Sequence, residues 1–312
     1  MARKTKKNKL LTLFFIIFAF VLVLFWTENN KPTASFSENF LNKNKTIAET
    51  EAEKVNSQKY LNVYALDVGQ GDAFLIESPT GIQALVDTGP PNKILSQLAG
   101  VMPQADRSID LIFISHSDQD HIGGIVDVLE NYSVGTIFES GVEVDSQTFQ
   151  NFKKLIQEKN IKDLIARKGT RIDMGDGAVI EILFPDRDVS DWDTNEASIV
   201  MRLVYGENSI LFTGDAPIET EKRILAENSI ESLESDILKV SHHGSKTSTG
   251  SEFLEVVKPK FALISVGLKN KFGHPKQEIL DLLNDFGAQI FRTDELGQIE
   301  IKCDKIEPCK IN

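Results

Sequence analysis

Ten residues beginning at Ser115 (Ser-His-Ser-Asp-Gln-Asp-His-Ile-Gly-Gly) constrain this chain more than any other stretch. They begin at the end of a short, mostly apolar run at residues 111–115. Two imidazoles, His116 and His121, and two carboxylates, Asp118 and Asp120, fall within six residues. Buried unpaired charges cost several kcal/mol each, and no basic residue lies near in sequence to neutralise these. A cation is therefore expected. A merely solvated loop would need neither the glycine pair, Gly123 and Gly124, nor a second histidine set elsewhere. Imidazole with carboxylate suits zinc, manganese or iron(II) better than calcium, which favours an all-oxygen cage.

The second set follows in the other half of the chain. Asp215 ends the run Phe212-Thr213-Gly214-Asp215, His242 and His243 open His-His-Gly-Ser, and His274 lies between Gly273 and Pro275. All five histidines come directly after predicted strands or in adjacent glycine-containing turns. Such positions fix a side chain while leaving one side open to substrate. Two metals about 3.5–4 Å apart need a shared carboxylate, and Asp215 is the natural candidate.

Between these motifs the chain alternates short β-rich runs with helical stretches. Strands are predicted at residues 61–68, 72–78, 81–87, 111–115, 137–140, 179–184, 198–205, 209–215, 236–241, 261–266, 289–292 and 298–302. Helices are predicted at 93–99, 122–131, 147–158, 218–226, 252–257 and 277–286. Clustered strands punctuated by helices in both halves indicate two packed sheets with helices outside.

The string His-Ser-Asp-Gln-Asp-His-Ile-Gly-Gly resembles the signature loop of the metallo-β-lactamase superfamily, whose common form is His-x-His-x-Asp-His. One branch fits more closely. Leu66-Asp67-Val68-Gly69-Gln70-Gly71-Asp72, Val86-Asp87-Thr88-Gly89, Asn195-x-x-Ser198, Leu211 to Asp215, Val240 to Lys246 and Gly273-His274-Pro275 resemble, in family order, the C-terminal hydrolase domain of the ComEC competence proteins. This similarity spans residues 62–297. It implies an α/β (α+β) fold, a four-layer αββα sandwich with the metal site along one edge of the sheets.

Residue by residue, the resemblance implies that His116 and Asp118 hold a first metal. Asp120, His121 and His242 hold a second, and Asp215 bridges them. Asp118 stands where most of the superfamily has histidine, which favours a harder metal such as manganese, and the expected cofactor is two divalent ions, zinc or manganese. Asn195 falls 20 residues before Asp215, where many relatives carry another histidine ligand, and this weakens the first site. Asp87 and Thr88 are expected to support the loop from behind. Asp67, Gln70, Asp72 and Ser198 are expected beside the cleft. Asp120, His243 and His274 are the expected catalytic groups, the two histidines as proton donors or phosphate contacts.

The N-terminus reads differently. Arg3, Lys4, Lys6, Lys7 and Lys9 precede 17 residues, Leu10 to Trp26, without a charge. At 1.5 Å per residue these span about 25 Å, slightly short of a ~30 Å hydrocarbon core that flanking lysines can bridge. An uncleaved single-span anchor at residues 1–27 is expected, with the basic tip in the cytoplasm and the rest outside. The run exceeds the usual signal-peptide core, and no clean small-x-small site follows. Residues 28–59 read as a polar linker, residues 60–302 as the hydrolase domain and residues 303–312 as a tail.

The 34 basic and 46 acidic residues give a net charge of −12. Without the anchor, 29 basic face 46 acidic residues, a net of −17. That balance disfavours tight, unaided duplex binding. The two cysteines, Cys303 and Cys309, exclude a cysteine-rich zinc module and suggest a small disulfide loop in an oxidising compartment.

With no Gly-x-Ser-x-Gly elbow and no phosphate-cradling loop, the chemistry expected is hydrolysis by a dinuclear, metal-activated water. The leading substrate is a phosphodiester, with nuclease action on extracellular DNA. A phosphoesterase of cell-wall or lipid headgroups and a non-catalytic metal-binding surface module are the alternatives. A single span is not a translocation pore, so this chain alone is not a DNA importer.

Overall fold

The computed structural model describes residues 60–312, so the expected anchor and the whole of the linker lie outside the described residues. Among the described residues no helix is long and apolar enough to cross a membrane. The described residues form fifteen strands in two sheets. The first sheet takes β1 (Leu61–Ala65), β2 (Phe74–Glu77), β3 (Gln83–Val86), β4 (Ser108–Ile114), β5 (Ser133–Glu139) and β6 (Lys162–Ile165). The second takes β7 (Arg171–Asp173), β8 (Ala178–Phe184), β9 (Val200–Tyr205), β10 (Asn208–Phe212), β11 (Ile237–Lys239), β12 (Phe261–Ile264) and β13 (Gln289–Arg292). The chain then returns to the first sheet through β14 (Ile299–Cys303) and β15 (Lys310–Ile311). The strand orders are 15-14-1-2-3-4-5-6 and 13-12-11-10-9-8-7.

Side chains alternate across a strand, so each sheet presents two different faces. In β1, Leu61, Val63 and Ala65 pair with Cys303, Ile301 and Ile299 of β14, and all six join the core between the sheets. Phe74 of β2 meets Phe212 of β10 across that core, edge to face at 5.4 Å. On the outer face of the first sheet, Leu85, Ile112, Ile114 and Ile137 pack against Ile94, Leu98, Val128 and Phe152 of its helices. On the outer face of the second, Leu211, Leu238 and Ile264 pack against Ile224, Phe253, Leu254 and Leu283. The layers therefore run helix, sheet, sheet, helix. Each buried side chain of this size contributes about 1.5–3 kcal/mol.

The central strands are parallel where it matters for the site. β3 to β6 pair in parallel, as do β10 to β13. Their carboxyl ends therefore fall together at one rim, where open sheets bind ligands.

The helix predicted at 122–131 is two pieces, Gln119–Ile122 and Ile125–Asn131, split at Gly123-Gly124. A Cβ on Gly124 would meet the Thr88 carbonyl at 2.5 Å, so the loop lies directly on the turn after β3. β6, β7, β15 and the short helices Ile230–Leu233 and Thr293–Leu296 were not foreseen from the sequence.

Residues 303–312 contribute more than a tail. Cys303 and Cys309 form a disulfide, both buried, and β15 pairs with β14. The loop is held to the second sheet by Asn208, which opens β10. Its amide donates to the carbonyls of Asp304 and Glu307 at 2.7 and 2.8 Å, and its carbonyl accepts from the Cys309 N–H at 2.9 Å. Closing so short a loop is worth about 2 kcal/mol in the chain-entropy account. Three net hydrogen bonds are worth about 3 kcal/mol. Urea unfolding should therefore show losses of about 2 kcal/mol for Cys303→Ala/Cys309→Ala and about 3 kcal/mol for Asn208→Ala. Quantitative alkylation of the native protein without reductant would contradict the first.

Candidate metal centre

Asp87 organises the centre from behind. It follows β3 with φ of +59°, a left-handed conformation that aspartate tolerates better than most residues. Its Oδ1 accepts the Ser115 N–H at 2.7 Å. Its Oδ2 accepts the Ser115 hydroxyl at 2.6 Å and His121 Nδ1 at 2.9 Å. A carboxylate only accepts, so the Ser115 hydroxyl must donate to it. The serine oxygen then accepts from His116 Nδ1 at 3.0 Å. Both imidazoles are thereby fixed as the tautomer with a lone pair on Nε2. Thr88 completes the support, donating both N–H and hydroxyl to the His121 carbonyl at 2.7 and 2.9 Å.

The third imidazole comes from the second sheet. After β11 the chain makes a 3-10 turn, Ser241–Gly244, in which His242 and His243 are both left-handed. His243 Nδ1 donates to the Ser265 carbonyl at 2.8 Å, which again leaves a lone pair on Nε2. His116, His121 and His243 are each no more than 1% exposed, and each Nε2 is buried without a hydrogen-bond partner.

Asp215, 3% exposed, lies among them. Its Oδ1 is 3.3 Å from His121 Nε2, and its Oδ2 is 3.6 Å from His243 Nε2 and 3.7 Å from His242 Nε2. Asp120 Oδ2 is 3.3 Å from His243 Nε2. Two groups, His116/His121/Asp215 and Asp120/His121/His243, bring their ligand atoms within 4.8 Å of one another. Orphaned imidazole nitrogens and carboxylates of this kind fit a divalent transition metal.

The electrostatics agree. Burial depresses His121, but Asp215 and Asp87 outweigh it and hold the imidazole well above its ordinary range. His243 is likewise raised to about 9, where Asp215, Asp120 and Asp72 overcome burial. Burial and the nearby His121 push His116 down to about 3. Asp215 is held far below the carboxylate range despite its burial, by His121, His243 and Lys239. At His121 and His243 the surrounding carboxylates favour positive charge on the ring, which a proton or a metal ion would answer.

The remaining candidates fall around this core. Asp118 caps the helix Gln119–Ile122 through its backbone carbonyl and not its side chain; one carboxylate oxygen accepts from Thr194 at 2.7 Å and the other is 3.8 Å from His116 Nε2. Asn195 Oδ1 is buried without a partner. Ser198 accepts the Asp215 N–H at 3.1 Å. Asp67 caps its own turn through Gly69 N–H at 3.2 Å, and Gln70 accepts from Gly267 at 3.3 Å. Gly71, with φ of +137°, lies so close to Asp120 that a Cβ would meet its carbonyl at 2.1 Å. Asp72 is buried behind the ligands with Oδ1 3.4 Å from His243 Nδ1.

His242, read from the sequence as a ligand, is the more open of the pair, its side chain 28% exposed. Its ring lies 5.8 Å from that of His274, which stacks on Phe272 at 5.8 Å and 12°. Burial and the two histidines push His274 down to about 4, so it is neutral at pH 7.

Four contributors were not singled out from the sequence: Ser115, Thr194, Ser265 and Lys239. Lys239 carried a signal, a charged residue inside the apolar run before His242. Glu221, buried on the helix Ile218–Glu227, is pushed up to about 7 by burial. It accepts from the N–H groups of Thr249 and Gly250 and so clamps the segment that follows His243.

The comparisons with known proteins accord with this geometry. The profile of the Metallo-beta-lactamase superfamily matches residues 66–267. ComE operon protein 3 of Bacillus subtilis is 28% identical over 254 residues, covering 76% of this chain and 32% of that protein. Recombination protein 2 of Haemophilus influenzae is 30% identical over 244 residues, covering 77% and 28%. Competence protein ComA of Neisseria gonorrhoeae is 28% identical over 238 residues, covering 75% and 31%. The chain thus spans about a third of the length of these relatives. The metallo-beta-lactamase fold protein YhfI from Bacillus subtilis shares the fold at a TM-score of 0.51 with 16% identity, covering 74% of this chain and 96% of that one. With the profile matched over more than half its length, the chain belongs to the metallo-beta-lactamase superfamily.

Proposed function

We propose that the domain is a metal-dependent phosphodiesterase with a dinuclear centre, acting on nucleic acid outside the cytoplasm. The observation that carries this reading is the convergence of three buried, unpartnered Nε2 atoms on Asp215 at the open ends of the parallel strands. His116 with Asp118, and Asp120 with His121 and His243, would hold the ions, with Asp215 between them. This exchanges the two histidines of the pair relative to the sequence reading: His243 binds metal and His242 faces substrate.

When bound, the ions supply a nucleophilic hydroxide at neutral pH and neutralise charge on a phosphoryl oxygen. The chain's own residues do the positioning. Asp87 and Ser115 aim two imidazoles, and the Ser265 carbonyl aims the third. Neutral His274 offers an N–H to a phosphoryl oxygen rather than a cationic acid.

A phosphate-bearing substrate is supported by the rim. Lys246, Lys269, Lys271 and Lys276 follow one another along the segments that carry His242 and His274, in a chain otherwise strongly acidic. Relatives named for competence and recombination support nucleic acid over a small phosphoester. The disulfide supports an oxidising location.

The test is a hydrolysis screen with manganese and zinc supplied separately, over single-stranded DNA, duplex DNA, RNA and phosphomonoesters. Turnover of phosphomonoesters alone would overturn the nuclease reading. Asp215→Ala and His243→Ala should lose both bound metal, counted by mass spectrometry, and hydrolysis. His242→Ala should keep its metal; the opposite pattern for the two histidines would restore the sequence assignment. His274→Ala should also keep its metal while turnover falls roughly 10²–10³-fold, the usual loss on removing one transition-state donor. Metal loss in that variant would make His274 a ligand instead.

A further inference from the structure

Lys239 belongs neither to the proposed ligands nor to the substrate rim, yet it is 1% exposed at the end of β11. An ammonium has three N–H donors and no lone pair. Here it meets three oxygen acceptors: the Asp72 carboxylate, Asp215 Oδ1 at 3.5 Å and the Gly214 carbonyl at 2.7 Å. An all-oxygen set of two carboxylates and a carbonyl is what a hard cation takes.

Four groups of His and carboxylate atoms within 4.8 Å occur among the described residues, and two of them include Asp72. One is Asp72/Asp215/His243, and Lys239 contacts two of its three members. The geometry points to Lys239 as a built-in cation that fills a third cation position, keeping Asp72 away from the metals and limiting the centre to two divalent ions. This inference rests on the dinuclear reading above.

The physical argument is one of charge. Two carboxylates buried side by side need a counter-charge, and removing one partner of a buried ion pair leaves the other uncompensated. Lys239 supplies that charge from the protein itself, before any metal arrives. It also fixes geometry. The Asp72 N–H donates to the Asp120 carbonyl at 3.2 Å and its carbonyl accepts from Gly89 at 2.8 Å, so holding Asp72 holds the ligand loop.

Truncation to alanine would empty the space while leaving both carboxylates. Purified full-length wild type and Lys239→Ala would each be loaded with excess zinc, desalted and counted for metal by mass spectrometry. Two ions per chain are expected for wild type and three for the variant. The variant's melting temperature should also drop further on chelation than that of wild type. An unchanged ion count in the variant would overturn the proposal. A wild-type count other than two would bear on the dinuclear reading, while the difference between the two proteins still tests Lys239. Should the single variant fail to fold, Lys239→Ala/Asp72→Asn removes both charges. It is expected to fold and bind the wild-type number, and a lower number would make Asp72 a metal ligand and overturn the proposal.

Discussion

Everything at this centre depends on where the protons of three imidazoles are held. Asp87, buried and able only to accept, takes the Ser115 hydroxyl and His121 Nδ1 together, and the serine passes the constraint on to His116. One carboxylate thereby sets two rings. The Ser265 carbonyl sets the third through His243 Nδ1. Were any of these rings free to flip or change tautomer, its Nε2 would no longer be committed as an acceptor, and metal affinity would fall with it. Ligand and support differ in kind here. The candidate ligands would supply lone pairs, and the supports decide which atoms carry them.

That arrangement is possible because two sheets bring their parallel carboxyl ends to the same rim. Asp87 and His116 follow β3 and β4 of the first sheet; Asp215, His243 and Ser265 follow β10, β11 and β12 of the second. No single βα unit holds a complete ligand group that contains Asp215 or His243. The contact of Phe74 with Phe212 therefore matters beyond its burial, since Phe212 ends the strand that delivers Asp215. Packing between the sheets sets the separation of the two halves of the centre. A shift of about 1 Å there would lengthen ligand distances that metal bonds tolerate poorly.

Much of this was legible in the sequence, and for definite reasons. The strands that alternate or run fully apolar were readable because burial imposes a period on them. The loop stood out as a candidate metal site because two imidazoles and two carboxylates in six residues have few other uses. The short strands β6, β7 and β15 were not, because Lys162, Asp163 and Arg171 carry no apolar period. The helix break at Gly123-Gly124 follows from contact with Thr88, a residue distant in the chain. The choice between His242 and His243 was beyond the sequence as well. Adjacent residues in an extended chain point to opposite sides, but two consecutive left-handed residues redirect both rings, and burial, the approach of Asp120 and the bond to Ser265 distinguish them.

Lys239 shows how a local reading goes astray. Near Asp118 and Asp120 no basic residue occurs in sequence, which argued that a metal must supply all the positive charge. In the fold, a lysine more than a hundred residues later reaches not that loop but its neighbours Asp72 and Asp215, from the other sheet. The conclusion that cations are needed survives, because one ammonium does not balance Asp72, Asp87, Asp120 and Asp215. Its division changes. Asp72 and one oxygen of Asp215 are answered by the protein, Asp87 by His121 and Ser115, and the outward oxygens with the three Nε2 atoms are left for metal. A buried ion pair is weak evidence for stability, since its desolvation offsets its attraction. Its placement here serves selection instead, deciding which carboxylates in a crowded acidic site remain available as ligands.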